Sequence, residues 1–262
     1  MGLALETIVA YDTDNTAITD SILAVAQSSL TIKAGGTGQA NIVAGVAFGD
    51  GAAQFRIRSP RMHDNVRGIE VEIPGTIVEE FWPKGVKQPV IPSDDLIVTG
   101  FSGGAAADIG VALWVHYADV GGVNARLVNY QEIESRIRNI VGLRQDLATS
   151  TLGVFSSEQT LVADADVLKS GVDYALLGAV GNAECLALCV RGPDTGNLRI
   201  GIPVNDQFTS ESARWLQMLN WHTGLPTIPI IAHGNRGATL VDIIHPVAIT
   251  TPSYSLIMAE LA

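Results

Sequence analysis

The sequence predicts a mainly all-β protein in which two β-domains of similar pattern follow one another along the chain. Short segments rich in Val, Ile, Leu and Ala are interrupted by Gly, Pro, Asn and Asp, which is typical of many strands joined by turns. Similar short motifs recur in the same order in the two halves, as in duplicated domains. The 262 residues suffice for two sandwiches or barrels of about 110 residues each.

The strand candidates are apolar runs that end at turn residues. In residues 53–58, Phe55 and Ile57 face one way and the polar residues face the other, which indicates a half-buried strand. The candidates of the first half are residues 40–48, 53–58, 68–73, 95–101 and 109–117. Those of the second half are residues 173–180, 185–190, 198–202, 227–232, 238–244 and 254–261.

Three segments are predicted to be helical. Residues 15–28 and 130–148 carry apolar residues at an approximate helical spacing, and the second of them lies near the middle of the chain, where it would connect the two halves. Residues 210–221 have Ser210 as an N-cap, Glu211 in the first turn and Gly224 just beyond the end. Together these predict an N-terminal helix, a connecting helix and one helix inside the second domain.

The internal repeat is most visible around two arginines. In the first half, Arg58-Ser59-Pro60 is followed by Asn65-x-Arg67 and then by Ile73-Pro74. In the second half, Arg191-Gly192-Pro193 is followed by Asn197-x-Arg199 and then by Ile202-Pro203. The offset is about 133 residues. Arg58 and Arg191 fall at equivalent strand ends, where they are expected to have a structural role, either capping carbonyl groups or binding acidic neighbours.

Composition excludes several classes of protein. Hydrophobic residues make up 47% of the chain and charged residues only 16%, unlike a disordered chain. The net charge of −11 argues against a general nucleic-acid binder, whose affinity comes from neutralising phosphates. No apolar stretch has the length of a spanning helix, and the first basic residue is Lys33, so the charged start of a signal peptide is missing.

No catalytic, cofactor-binding or metal-binding residue can be assigned from the sequence. The five histidines have no partner at metal-ligand spacing, and there is no nucleophile elbow or phosphate loop. Cys185 and Cys189 lie four positions apart in a predicted strand, about 13 Å from one another, and are expected to be buried free thiols. The protein is therefore expected not to be an enzyme and to need no cofactor.

One local basic patch is present. Arg56, Arg58, Arg61 and Arg67 fall within twelve residues, offset by Asp64. The patch could contact an acidic neighbouring subunit, a lipid headgroup or nucleic acid, but a solvated strand edge with local salt bridges is the expected interpretation.

The duplicated pattern, Arg58-Ser59-Pro60 with Asn65-x-Arg67 against Arg191-Gly192-Pro193 with Asn197-x-Arg199, extends over most of residues 35–262. In this arrangement the chain resembles the double jelly-roll major capsid proteins of icosahedral viruses and phages, many of which enclose an inner membrane. The resemblance implies two tandem jelly-roll-like β-barrels or sandwiches. It divides the chain into an N-terminal helical arm (1–34), a first barrel (35–120), a helical linker (121–152) and a second barrel (153–262).

The same resemblance implies a structural virion protein, made in the host cytoplasm, that forms a homotrimer and tiles a capsid shell. Its partners would be further copies of itself, with minor capsid proteins or an inner membrane at the N-terminal arm, and no specific nucleic acid. Two alternatives remain open: another structural subunit, such as a spike, tail or filament protein, and a two-domain carbohydrate- or ligand-binding module. An enzyme would require two of His222, His233 and His245 to converge with a carboxylate in a pocket.

Overall fold

The computed structural model describes residues 2–15, 21–22, 24–25, 39–49, 53–59, 68–73, 77–90, 96–102, 107–119, 123–148, 153–156, 158–162, 168–205, 209–246 and 249–262. The described strands form four sheets, all antiparallel, and these sheets belong to two units that follow one another in the chain. This confirms the predicted all-β class.

The first unit contains the strands of residues 3–118. Their bounds are β1 Leu3–Asn15, β2 Ser21–Ile22, β3 Ala24–Val25, β4 Gln39–Gly49, β5 Ala53–Arg58, β6 Ile69–Ile73, β7 Glu79–Glu80, β8 Gln88–Val90, β9 Ile97–Ser102 and β10 Ala107–Ala118.

The second unit contains the remaining strands and the described helices. The strands are β11 Leu127–Val128, β12 Ile137–Asp146, β13 Gln159–Thr160, β14 Asp173–Gly181, β15 Cys185–Arg191, β16 Ile200–Val204, β17 Ile228–Ala232, β18 Leu240–Ile244 and β19 Ser253–Leu261. The α-helices are α1 Tyr130–Ile133, α2 Thr209–Ser212 and α3 Trp215–Thr223, and the 3-10 turns are Glu134–Arg136, Pro193–Thr195 and His233–Asn235.

Both units have the same strand order. In the first unit, one sheet runs β1-β10-β4 with β8 on the far side of β4, and the other runs β2-β9-β5-β6. In the second unit, one sheet contains β17-β14-β19-β12, and the other runs β13-β18-β15-β16. Numbered from one to eight along each unit, the main strands follow the order 1-8-3-6 in one sheet and 2-7-4-5 in the other. This is the jelly roll, a double-sheet architecture of two Greek keys, and the chain contains it twice.

The four sheets stack as layers. We call β2-β9-β5-β6 the outer sheet, β3-β1-β10-β4-β7 the central sheet, β13-β18-β15-β16 the facing sheet and β11-β17-β14-β19-β12 the back sheet. One apolar cluster fills the space between the outer and central sheets and includes Ile8, Phe55 and Leu113. A larger cluster extends from the other face of the central sheet through the second unit and includes Leu5, Trp114 and Leu188.

The central sheet is therefore buried on both faces. Along β1, Ala4 and Ile8 contact the interior of the first unit, whereas Leu5 and Val9 contact the second unit. A strand that must be apolar on both faces does not alternate and reads as a continuous hydrophobic run. This explains why residues 109–117, the most apolar segment of the chain, form the middle of this sheet as β10.

Two of the three predicted helices are wrong. Within residues 15–28, Asn15 ends β1, and the other described positions form the short strands β2 and β3, which pair with β9 and β1. The rest of that segment lies outside the described residues. Within residues 130–148, the helix is limited to α1 and a 3-10 turn, and β12 follows. In both segments, pairing with strands distant in the sequence outweighs a weak local periodicity. The predicted helix at residues 210–221 is confirmed as α2 and α3, and Gly224 ends α3 with a φ of 68°.

These corrections move the limits of the units. The first barrel begins at β1, at Leu3, and not at residue 35. The predicted helical linker, 121–152, contains β11, which pairs with β17, and β12, which pairs with β19. The expected contact of residues 1–34 with a membrane or minor protein is thus restricted to residues after β1, most of which lie outside the described part.

Close packing of α2 on the back sheet leads to a first prediction. A Cβ added at Gly178, on β14, would lie 2.3 Å from the backbone carbonyl carbon of Ala213 and from the carbonyl oxygen of Ser212, whereas one added at Gly142, on β12, meets no atom within 4 Å. We expect Gly178→Ala to lower the free energy of unfolding by about 1–3 kcal/mol, since backbone must move, and Gly142→Ala to change it little. Urea unfolding of both variants measures this, and equal stabilities would contradict the described packing.

Candidate functional site: the junction between the two units

The junction between the units is held by hydrogen bonds between β1, β10 and the start of β16. The backbone N–H of Thr7 donates to the carbonyl oxygen of Arg199 at 2.8 Å. The Oγ1 of Thr7 accepts the N–H of Gly201 at 2.7 Å. The indole N–H of Trp114 donates to the carbonyl oxygen of Gly201, also at 2.7 Å. Since Thr7 and Trp114 are fully buried, these bonds are shielded from water and fix the position of one unit on the other.

Apolar packing surrounds these hydrogen bonds. The ring of Trp114 meets that of Trp215, at the start of α3, edge to face with centroids 5.1 Å apart. A Cβ at Gly201 would approach Thr7 and Ala187 to 2.9 Å, so the sheets are close together here because this position has no side chain.

Further contacts extend the junction on both sides. The hydroxyl of Tyr11 donates to the carbonyl oxygen of Pro246 at 2.7 Å, and the side-chain amide of Asn205 donates to the carbonyl oxygen of Val78 at 2.8 Å. The Nε2 of His116 lies 3.1 Å from the carbonyl oxygen of Pro226. The two jelly rolls are thus joined through a continuous buried layer.

Charged side chains cluster on the facing sheet beside the junction. The Nε of Arg199 donates to Asp242 at 2.8 Å, and its guanidinium lies 4.3 Å from the ring centre of Phe155. Glu158 pairs with both Arg199 and Arg191. Burial raises the pKa of Asp242 and Arg199 opposes this rise. The expected structural role of Arg191 with an acidic neighbour is confirmed.

A cleft of about 320 Å³ opens where the two units meet near α2 and α3. Its walls include the apolar side chains of Val46, Val78 and Trp215 and three carboxylates, those of Glu79, Glu80 and Glu211. Desolvation raises the pKa of Glu80, Lys84 opposes the rise and Glu211 adds to it. Lys84 lies 3.8 Å from Glu211, so part of the negative charge of the cleft is compensated within the chain.

The histidines occupy separate places in the fold. His116 and His245 are buried; His222 is in the last turn of α3, and His233 begins a 3-10 turn after β17. None of the three that an enzyme would require lines the cleft, and His63 lies outside the described residues. Across the described ranges, no group of three His, Cys, Asp or Glu side chains could hold a metal ion. In the same part of the chain, no helix has the length and apolarity to span a bilayer.

The two cysteines are buried free thiols, as the sequence predicts. Burial raises the pKa of both thiols, so they remain protonated and unreactive near neutral pH.

The basic patch lies on the outer sheet, as far as it is described. Arg56 pairs with Glu70 across neighbouring strands at 3.1 Å, and the amide of Gln54 donates to Glu72 at 3.1 Å. Arg61 and Arg67 lie outside the described residues. Arg56 and Gln54 therefore belong to a ladder of paired polar side chains, and the expected local salt bridge is present. The expected strand edge is wrong, because β5 lies between β9 and β6 inside the sheet.

We expect Arg56→Ala to lower the free energy of unfolding by less than about 1 kcal/mol, because ion pairs at the surface contribute little. Chemical denaturation with Glu70→Ala in parallel measures this. A loss above about 2 kcal/mol in both variants would mean that the outer sheet is covered and not solvated.

In the second unit, the position that corresponds to Arg56 is occupied by the buried Cys189. Arg56 lies two residues before the end of β5, and Cys189 lies two residues before the end of β15. The face of β15 that carries Cys189 packs against the central sheet, since Gly201, opposite Cys189, lies against Thr7. The same face carries the buried Asp242, which pairs with Arg199. In the outer sheet the paired charges stand on a face where Glu70 and Glu72 are exposed. The duplicated fold is therefore asymmetric, because this face is exposed in the first unit and covered in the second.

Comparison with known proteins adds little. No known family and no curated protein matches the sequence. Among solved structures, the PBSX exported protein XepA is 9% identical over 95% of this chain and 88% of its own, with a TM-score of 0.23. The STIV MCP, a viral major capsid protein, is 11% identical over 100% of this chain and 97% of its own, also with a TM-score of 0.23. At TM-scores this low the similarity supports no argument, and the fold is assigned from the strand order alone.

Sequence reasoning missed the residues of the junction, although a signal was present. Thr7 and His116 are polar residues in mainly apolar, buried stretches of β1 and β10, and both make polar contacts with the second unit. Polar residues inside strands that are apolar on both faces can thus indicate where another layer packs. No sequence pattern indicated the cleft, because two of its carboxylates, Glu80 and Glu211, lie 131 residues apart in the chain.

Proposed function

We propose that this protein is a structural virion protein, a major capsid subunit that forms homotrimers and tiles an icosahedral shell. The observation that supports this most is the double jelly roll itself: two units with the same strand order, joined through a buried layer of hydrogen bonds and aromatic contacts. The proposal uses the shape and surfaces of the whole body and requires no reactive site.

Duplication suits this role for a geometric reason. Three copies around a threefold axis bring six similar barrels into one ring, so the trimer has a nearly hexagonal outline. Hexagonal units tile a surface, and symmetry closes the shell without additional components. The internal junction keeps the two barrels of each chain at a fixed distance, which tiling requires.

The charge of the chain predicts how assembly depends on salt. Each chain carries a net charge of −11, so copies repel one another at low ionic strength. Salt screens this repulsion over a distance of about 8 Å at physiological strength. Assembly should therefore be favoured by added salt.

The same charge is unfavourable for binding nucleic acid directly, so we propose no specific nucleic acid as partner. The remaining proposed partners are minor capsid proteins and, for the residues after β1, an inner membrane.

Imaging of the concentrated protein by electron microscopy, across a series of salt concentrations, tests this function. Closed shells of uniform diameter, more abundant at higher salt, are the expected result. Filaments, tubes or isolated spikes would overturn the proposal of a shell-forming subunit and indicate another kind of structural subunit. A dispersed protein that binds a glycan in a panel of immobilised sugars would replace the proposal with a binding module.

A further inference from the structure

Among the described strands, β12 is the edge strand of the back sheet. β12 is ten residues long and pairs with β19 on one side, and no other described strand pairs with its second edge. The equivalent strand of the first unit, β1, is different, since β3 pairs with it at Ala10 and Tyr11. An open edge of this length presents unpaired N–H and C=O groups to any strand that can approach.

The side chains of β12 divide into a buried and an exposed face. Leu143 and Gln145 are buried, whereas the alternate positions, from Arg138 to Asp146, are exposed. At the centre of the exposed face are Ile140, whose exposed fraction is 58%, and Gly142, where a Cβ would meet nothing within 4 Å. The middle of the edge is therefore flat and apolar, and the charges stand towards its two ends.

We propose that two copies of this chain associate by pairing β12 with β12, antiparallel, across a twofold axis at Gly142. The two back sheets then become one continuous sheet. In this register Arg138 of each copy stands opposite Asp146 of the other, which also bonds Arg144 of its own chain at 2.7 Å, and Ile140 stands opposite the aliphatic stem of Arg144. Opposite charges that face each other across antiparallel strands stabilise the pair. An isologous contact of this kind uses the same surface twice.

The neighbouring registers are less favourable. If the axis moves by one residue towards the N-terminus, to Val141, Arg138 stands opposite Arg144, and like charges that face one another are destabilising. If it moves by one residue in the other direction, to Leu143, Asp146 stands opposite Ile140 and has no cation across the axis. Of these three registers, the one with the twofold axis at Gly142 therefore gives the most favourable pairing of two β12 strands.

This contact is separate from the proposed threefold contact. It concerns a twofold axis and one strand, and it would join neighbouring trimers in a shell or two chains in any other assembly. The inference therefore does not depend on the proposed function.

Cysteine cross-linking tests the register directly. Opposed residues of antiparallel strands have Cβ atoms about 4.5–5.5 Å apart, so Gly142→Cys should give a disulfide-linked or bis-maleimide-linked dimer in high yield. Ile140→Cys, on the same face of the same strand, does not face itself in this register and is the matched control. Val154→Cys, on an exposed apolar position elsewhere, is a second control. The native thiols are buried and do not compete.

A charge exchange tests the same contact without a cross-link. We expect Arg138→Asp and Asp146→Arg each to weaken the dimer at least tenfold in sedimentation velocity. The double variant Arg138→Asp/Asp146→Arg should recover part of the affinity, because the opposed pairs are restored with the signs exchanged, whereas the pair of Asp146 with Arg144 of its own chain stays lost. Circular dichroism confirms that each variant is folded.

The outcomes separate the two proposals. Cross-linking at Ile140 as efficient as at Gly142, or no recovery in the double variant, overturns the pairing of β12. If the protein is trimeric in that case, the proposed function is unaffected. If Gly142→Cys dimers form from a protein that never reaches a trimer or shell, the inference holds and the proposed function fails.

Discussion

Trp114→Ala should lower the free energy of unfolding by about 3–5 kcal/mol, the usual cost of removing a large aromatic side chain from a core. Trp114 is fully buried on the central sheet, its indole N–H donates to the carbonyl oxygen of Gly201, and its ring packs on Trp215. All of these contacts cross the junction. The variant therefore loses contacts between the units while the interior of the first unit stays intact.

Urea unfolding followed by circular dichroism measures this loss. Trp221→Ala is the matched control, since Trp221 is 48% exposed, and it should cost about 1 kcal/mol or less. Trp114→Phe retains a ring and removes the donor from the carbonyl of Gly201, so an intermediate cost of about 1–3 kcal/mol is expected. Equal stabilities of Trp114→Ala and Trp221→Ala would contradict a junction in which Trp114 is central.

Stability should fall as the pH decreases from about 6.5 to about 4, and two histidines should dominate the upper part of that range. Burial lowers the pKa of His116 from 6.5 to about 4, although its hydrogen bond to Pro226 opposes the shift, and burial alone lowers the pKa of His245 from 6.5 to about 4. Among the described residues, neither Nδ1 atom has a hydrogen-bond partner, so a proton added there has no acceptor in this part of the chain.

The direction of the effect follows from proton linkage. Below pH 6.5 the unfolded chain binds protons at these two histidines and the folded chain does not, so acid favours unfolding. The contribution of each neutral ring is complete above pH 6.5 and is lost as the pH falls through about 4. A shift of this size corresponds to about 3 kcal/mol for each histidine. Since His116 contacts the second unit, acid should weaken the junction.

Free energies of unfolding measured from pH 7.5 to pH 5 test this, because few carboxylates titrate over that interval. The double variant His116→Gln/His245→Gln should be less stable at pH 7.5 but should lose little further stability by pH 5. His222→Gln, at an exposed position of α3, is the control and should keep the pH dependence of the unmodified protein. A double variant with an unchanged pH dependence would contradict the assignment to these two residues.

Much of the β architecture could be predicted from the sequence, because strands that alternate or run apolar between turn residues carry a local signal. Residues 53–58 are predicted and observed with the same limits as β5. The repeat is confirmed in strand order, but the register is only partly as the motifs suggest. When Arg58 is aligned with Arg191, the strand pairing places Ile73 at the position equivalent to Val204 and not to Ile202. The Ile-Pro dipeptides of the two halves are therefore not at equivalent positions.

The errors have physical reasons. The spacing of Ile133, Ile137, Ile140 and Val141 fits a helix, but only Ile133 lies in one, α1. The other three are β-branched residues, which favour strands where a partner is available, and they pair with β19. The partner is more than a hundred residues away, so local periodicity could not reveal it. The same holds for β1, whose long partner β10 is the last strand of the first unit. The junction could not be predicted, because it depends on how the two units pack together, and the sequence pattern of each unit indicates only its own strands.

The mass of the purified protein in solution tests the central claim, that this double jelly roll is a shell-forming subunit. Sedimentation velocity and light scattering, over a range of salt and of pH near neutrality, give that mass directly. We expect a species of three times the 27.6 kDa of one chain, or its multiples as assembly proceeds. A stable monomer under every condition would contradict the account.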